Sequence, residues 1–159
     1  MEKVEYLICQ PGTIDYADFL QYLRETDHLI IPNLSSRVDL VEYAKKVTSN
    51  ATLFIAKVGK EWIGVEAVYF HEYPEFSFTT YLSVKENYQK DSIVGMELML
   101  RQLRYLKEHK SKGLRFAIRK SNKALLNYHL KTGGRIISEH LYPGTDIVEV
   151  EIEKIFIKD

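Results

Sequence analysis

The stretch Tyr81-Leu-Ser-Val-Lys-Glu-Asn-Tyr-Gln-Lys-Asp-Ser-Ile-Val-Gly95 holds the residue types and spacing that point most directly to chemistry. An alternating run ends at Val84 and a polar turn follows. From there Ile93, Met96, Met99, Leu100, Leu103 and Leu106 recur at three and four, so a strand opens directly into a helix over Ser92 to Lys110. The N–H groups of a first helical turn have no internal acceptors and lie at the positive end of the macrodipole. Gln89, Lys90, Asp91, Ser92, Ile93, Val94 and Gly95 therefore form a candidate seat for a phosphorylated cofactor. The plainer reading is a solvated helix start. The Ser92 hydroxyl adds a donor, and Val94 must turn its side chain into the core.

Other reactive residues stand apart from this segment. Glu66 lies inside the run Val65 to Phe70, where a carboxylate is either solvated on an open face or turned inward and able to act as a base. Arg37 beside Ser35 and Ser36 suits bidentate recognition of a phosphate or carboxylate, or Ser36 or Asp39 simply caps the next helix. Cys9 on a first strand has no local activating group and reads as a small core residue. The five His residues are scattered without ligand spacing, so no metal is expected. Phosphate-loop, dinucleotide, His-Glu-x-x-His and Gly-x-Ser-x-Gly signatures are missing.

The elements that must position these residues follow from the same 159 residues. Val4 to Gln10 is a strand stopped by Pro11-Gly12. Thr13 or Asp15 then caps a helix carrying Ile14, Ala17, Phe19, Leu20 and Leu23. His28 to Arg37 is a loop, and Asp39 to Asn50 a helix with Leu40, Tyr43, Ala44 and Val47 on one side. Ala51 to Val58 and Glu61 to Phe70 form a hairpin about Gly59-Lys60. Phe76 to Val84 follows a Tyr73-Pro74 turn, with Phe76, Phe78, Thr80, Leu82 and Val84 alternating against Ser77, Thr79, Tyr81 and Ser83. Leu114 to Ile118, Asn122 to Thr132, Arg135 to Leu141 and Asp146 to Ile152 read as strand, helix, strand and strand. The order β-α-α-β-β-β-α-β-α-β-β gives one mixed α/β domain over residues 1–159.

Composition limits the partners. Lys+Arg and Asp+Glu are equal at 22 each, so no net field draws the chain to nucleic acid or anionic lipid. No apolar run approaches a membrane span, and the start Met-Glu-Lys-Val-Glu lacks a basic region followed by an apolar one. One cysteine excludes an internal disulfide framework and fits a reducing compartment, so a cytoplasmic protein is expected.

Two segments carry a resemblance. Val84 followed by Asn87-Tyr88-Gln89-x-x-Ser92-Ile93-x-Gly95 resembles the acyl-CoA motif of the GNAT acetyltransferase superfamily. That family usually has Gln/Arg-x-x-Gly-x-Gly/Ala after Leu-x-Val; here Ser92 and Val94 hold the small-residue positions and Gly95 falls one place late. Asn122-Lys-Ala-Leu-Leu-Asn-Tyr128-His129-Leu-Lys-Thr-Gly133 resembles the family's Asn-x-x-Ala-x-x-Phe-Tyr-x-x-x-Gly segment, with Asn122, Leu125, Tyr128, His129 and Gly133 at the motif positions.

The resemblance implies a GNAT-like α+β fold: a mixed sheet of about seven strands, mostly antiparallel, with a central parallel pair splayed open and about four flanking helices. It implies acetyl-CoA as cofactor, with pantetheine along the backbone of Leu82, Ser83 and Val84, the pyrophosphate at residues 89–95, and Asn122 on the cofactor side. Direct transfer to a primary amine of a small molecule, an amino sugar among the candidates, would use Glu66, Glu72, Glu75 or a water held by Tyr81 or Ser83 as base. His129, or Tyr128 after a one-residue shift, would be the acid. The loop with Ser35, Ser36 and Arg37, together with Tyr81, would face the acceptor. A monomer or homodimer is expected, and a non-catalytic CoA- or small-ligand-binding member of the fold remains the alternative.

Overall fold

Of the two residues able to start the first helix, Asp15 does so. Its carboxylate accepts from the Ala17 N–H at 2.9 Å, and helix α1 runs Tyr16–Thr26. Asp39, not Ser36, caps α2 (Leu40–Asn50) through the Glu42 N–H at 3.1 Å. The computed structural model describes residues 3–73 and 75–156, and the side chains of residues 71–73 are not part of that description. Pro74 of the expected turn and the Glu72 side chain lie outside the described residues.

The strands are β1 (Val4–Cys9), β2 (Thr52–Val58), β3 (Glu61–Tyr73), β4 (Phe76–Val84), β5 (Gly113–Arg119), β6 (Gly134–Leu141) and β7 (Val148–Ile155). Helices α3 (Ile93–Glu108) and α4 (Lys123–Lys131) complete the set. Pairing orders the strands β1-β2-β3-β4-β5-β7-β6 in an open mixed sheet. The expected mixed sheet of seven strands with one parallel pair and four helices is the fold found. Two differences are local. The loop at His28 to Arg37 folds partly into 3-10 turns at Asp27–Leu29 and Leu34–Ser36, and α3 spans Ile93–Glu108 where Ser92 to Lys110 was expected.

The chain packs as two compact units, residues 1–69 with 80–105 and residues 70–79 with 106–159. In the first, β1–β2 and β2–β3 pair antiparallel. Phe19, Tyr22 and Leu23 of α1 and Ala44 and Val47 of α2 are buried. Phe54 of β2 meets Tyr105 of α3 edge-on at 5.6 Å. Burial of such rings and aliphatic chains is the main stabilising term here.

In the second unit, Phe76–Phe78 of β4 pair parallel with Gly113–Arg115 of β5, and β5–β7 and β7–β6 run antiparallel. Glu153 of β7, 3% exposed, is clamped between Arg115 at 3.0 Å and Arg135 at 2.7 Å. Burial works against its ionisation, but hydrogen bonds from both arginines prevail and hold the carboxyl below its ordinary range.

The parallel pair depends on Gly113. A Cβ there would overlap the Lys154 carbonyl oxygen and lie 2.7 Å from the Phe76 ring. Gly113→Ala is therefore expected to cost more than about 2 kcal/mol, because backbone on one side and a packed ring on the other must move. A urea denaturation midpoint equal to wild type would contradict this close approach.

Candidate functional site

Strand β4 delivers the candidate cofactor turn, and its two faces differ from what residue type alone suggests. Ser77, Tyr81 and Ser83 are the buried set, while Leu82 is 42% exposed. Hydrogen bonding explains the choice. The Tyr22 hydroxyl of α1 donates to the Ser83 carbonyl at 2.9 Å and lies 3.0 Å from Ser83 Oγ. Ser83 Oγ donates to the Tyr81 hydroxyl at 2.9 Å, and that hydroxyl lies 2.7 Å from Thr26 Oγ1. Burial pushes the phenols of Tyr22 and Tyr81 up, so both stay protonated. The expected acceptor contact at Tyr81 and the water held by Tyr81 or Ser83 thus meet hydroxyls already committed to α1.

After Val84 the chain makes 3-10 turns at Glu86–Tyr88 and Lys90–Ser92. Gln89 Nε2 donates to the Val84 carbonyl at 2.7 Å and ties the turn to the strand end. Asp91 (φ 63) and Ser92 (φ 57) are both left-handed immediately before α3. Each costs about 1 kcal/mol in an L-residue, and Ser92 is one of the two positions where the resembled motif has a small residue. Val94 is buried, and Lys90, Asp91, Ser92 and Ile93 are exposed.

Ser92 spends its own N–H on the Gln89 carbonyl, so the donors left for an anion are the first-turn N–H groups of α3, Ser92 Oγ and the Lys90 ammonium. That donor set fits a diphosphate, with the Asp91 carboxylate the opposing charge beside Lys90. Ser92→Gly should stabilise the fold by about 0.5 to 1 kcal/mol through relief at φ 57. A lower melting temperature in the variant would contradict that.

The loop expected to face an acceptor is held by its own polar groups. Asp27 accepts from the Ser35 N–H at 2.9 Å and from Ser35 Oγ at 2.5 Å, and Ser36 Oγ donates to the Asn33 carbonyl at 2.6 Å. Partial burial opposes ionisation of Asp27, but the Ser35 bonds outweigh it and hold its carboxyl below the usual range. Ser35 and Ser36 are thus structural within the loop, while Arg37 is exposed at its end. Asp27, the organiser of the loop, went unread in the sequence because its partner is eight residues away. Next to this loop and the turn, a cavity of about 750 Å³ opens within the first unit, with walls from α1, the β2–β3 turn and residues 85–88.

Glu66 is enclosed. It is 2% exposed and stands opposite Phe54 in the β2–β3 register, on the face that Tyr105 of α3 covers at Phe54. Burial pushes its carboxyl up to about 8. The solvated strand face weighed for this residue does not occur. Glu75 is exposed and pairs with Lys112 at 3.2 Å.

On α4, Asn122 Oδ1 accepts the Leu125 N–H at 3.3 Å, so its oxygen serves as the helix cap. His129 is 4% exposed, tilted on Phe116 at 4.6 Å, and its Nδ1 is buried without a hydrogen-bond partner. Burial, helped by the Lys154 charge, depresses its pKa to about 4. Tyr128 is half-buried, with the Lys154 ammonium 5.5 Å over its ring.

Cys9 is half-buried on β1, and burial raises its thiol pKa. Among the described residues no group of three His, Cys, Asp or Glu is placed to hold a metal ion. Among the same residues no helix is long and apolar enough to cross a membrane.

No family model and no curated protein matches the chain by sequence. Its fold is nevertheless matched by solved acetyltransferase structures. A GNAT family acetyltransferase of Elizabethkingia anophelis with acetyl-CoA bound is 19% identical, with a TM-score of 0.67 over 96% of this chain and 98% of that one. The ribosomal-protein-S18-alanine N-acetyltransferase of Escherichia coli is 14% identical, with a TM-score of 0.71 over 95% and 94%. A protein of Bacillus anthracis assigned as a streptothricin acetyltransferase, in complex with acetyl coenzyme A, is 18% identical, with a TM-score of 0.56. There the match spans 68% of this chain and 64% of the other. At these identities the likeness is one of fold, and that fold is the GNAT fold.

Proposed function

We propose that this chain is an acetyl-CoA-dependent N-acetyltransferase whose acceptor is a primary amine of a small molecule. The observation that carries the reading is the β4–α3 turn, where two consecutive left-handed residues lead into a helix start whose free donors suit a diphosphate. Solved neighbours of the same fold hold acetyl-CoA. The half-buried Cys9 as sole cysteine agrees with a reducing, cytoplasmic setting.

In this reading the first turn of α3, with Ser92 Oγ and Lys90, holds the pyrophosphate, and Gln89 keeps that turn docked on the end of β4 through the Val84 carbonyl. The exposed Leu82 side of β4 carries the backbone that would meet pantetheine. When bound, acetyl-CoA supplies the acetyl group as a thioester: the amine nitrogen forms the new N–C bond, the C–S bond breaks, and CoA leaves as the thiol. Of the two protons the ammonium gives up, one goes to solvent water, since Glu66 is enclosed, and one goes to the departing sulfur. Tyr128 is the proposed relay for that second proton, giving its phenol proton to the departing sulfur and taking the nitrogen's proton in its place, with His129 a neutral packing residue beside it.

One observation favours the non-catalytic alternative: the position matched to the family's acid holds an enclosed, neutral imidazole. Turnover separates the two. Incubation with acetyl-CoA over a panel of small amines, including amino sugars, is expected to give products heavier by one acetyl group on mass spectrometry. Binding of acetyl-CoA with no acetylated product from any amine would establish the binding-only reading.

A further inference from the structure

Helix α3 is apolar on two opposite faces. Val94, Leu98, Gln102 and Leu106 recur every four residues and are buried against the fold. On the far side Ile93, Met96 and Leu100 are between 43% and 65% exposed, and Leu103 is half-buried. Helical periodicity sets these four side chains in one row that points away from the Leu98 face. Their spacing of three, four and three is that of a coiled-coil seam. A helix that is apolar all round is normally covered, yet among the described residues nothing covers this row. The charges beside it name the cover. Glu97 and Arg104 flank the row on the same side, seven residues apart. Arg101 Nε donates to Glu97 Oε1 at 2.8 Å, and its guanidinium lies 4.5 Å over the Tyr6 ring. Among the described residues the second Glu97 oxygen and the exposed Arg104 guanidinium make no bond.

We propose that this face of α3 is the interface of a homodimer, in which α3 packs antiparallel on α3 of a second copy. A two-fold axis at the level of Leu100 brings the same flank of both helices together. Glu97 of each copy then lies level with Arg104 of the other, and two ion pairs close over a seam of Ile93, Met96, Leu100 and Leu103. A parallel pair would set that flank against the Met99 side and leave both charges unmatched. Burial of the row supplies the stabilisation, and the ion pairs fix the direction. Lys+Arg and Asp+Glu are equal at 22, so no net charge drives two copies apart or draws the face to anionic lipid. A single helix pair is at the small end of specific interfaces, so a reversible dimer is expected rather than an obligate one. The inference does not rest on acetyl transfer.

Sedimentation equilibrium of the full chain, over a concentration series reaching about 100 μM, tests it against the reversible monomer–dimer equilibrium expected for a small interface. Leu100→Gln should weaken the dimer by at least about tenfold. Glu97→Arg alone and Arg104→Glu alone should each weaken it, because like charges then meet across the seam. Combining the two reversals should restore dimerisation to within about threefold of wild type, the coupling expected of residues in contact. Far-UV circular dichroism checks that each variant is folded. The charge reversals lie at the helix surface, so they decide the matter even where Leu100→Gln fails to fold. A wild-type chain that stays monomeric throughout, whether or not it sediments with anionic lipid vesicles, would overturn the inference. So would a dimer that folded Leu100→Gln leaves intact, or a double reversal that fails to restore what the single ones lose.

Discussion

Tyr128→Phe is expected to lower turnover by about 10² with acetyl-CoA affinity unchanged, the size of effect removal of a positioned general acid gives. The competing candidate is next to it on α4. His129 is 4% exposed, and burial with Lys154 nearby holds its pKa at about 4, so at neutral pH it carries no imidazolium proton to donate. A phenol, ordinarily near about 10, keeps its proton there. His129→Phe should therefore leave turnover close to wild type, and the rate profile should have no limb from an imidazole near pH 6.5. The reverse pattern, a loss of about 10² with His129→Phe and none with Tyr128→Phe, would assign the acid to the imidazole.

Glu66→Gln should remove a pH-dependent destabilisation. The Glu66 carboxyl rises from 4.5 to about 8 in the folded chain because burial disfavours its charge. Between those values the folded state keeps a proton that the unfolded state has lost. Stability therefore falls as pH rises through that window and contains no contribution from this group below it. The full difference corresponds to roughly 5 kcal/mol at alkaline pH. Gln keeps the shape and an amide able to hydrogen-bond but has nothing to ionise. Chemical denaturation at pH 5 and at pH 8.5 should thus show wild type and variant close together at the lower pH and the variant more stable by several kcal/mol at the higher. Equal pH slopes in the two proteins would contradict the buried, protonated carboxyl.

The fold was legible because its elements carry strong local signals. The three-and-four spacing of α3, the Gly59-Lys60 hairpin and the Asn122 cap each depend on neighbours in sequence. What was hidden depends on distant partners. Alternation in β4 is plain, yet which face is buried is set by the reach of Tyr22 and Thr26 to Ser83 and Tyr81, 61 and 55 residues away. The Ser35 hydroxyl, expected toward an acceptor, donates to Asp27, eight residues earlier in the chain. The enclosure of Glu66 follows from where α3 lands on β3, which no local pattern encodes. The cavity was unreadable for the same reason, since its walls come from α1, the β2–β3 turn and the residues after β4.

The central claim is that the turn at residues 89–95 seats acetyl-CoA, and calorimetric titration of acetyl-CoA into wild type and Ser92→Asp tests it most directly. Wild type should bind saturably, with CoA competing. Ser92→Asp, which sets a second carboxylate beside Asp91 at the mouth of α3, should weaken binding by at least about tenfold through repulsion of the pyrophosphate. No heat and no competition by CoA at millimolar concentration, or equal affinity in the two proteins, would contradict the account.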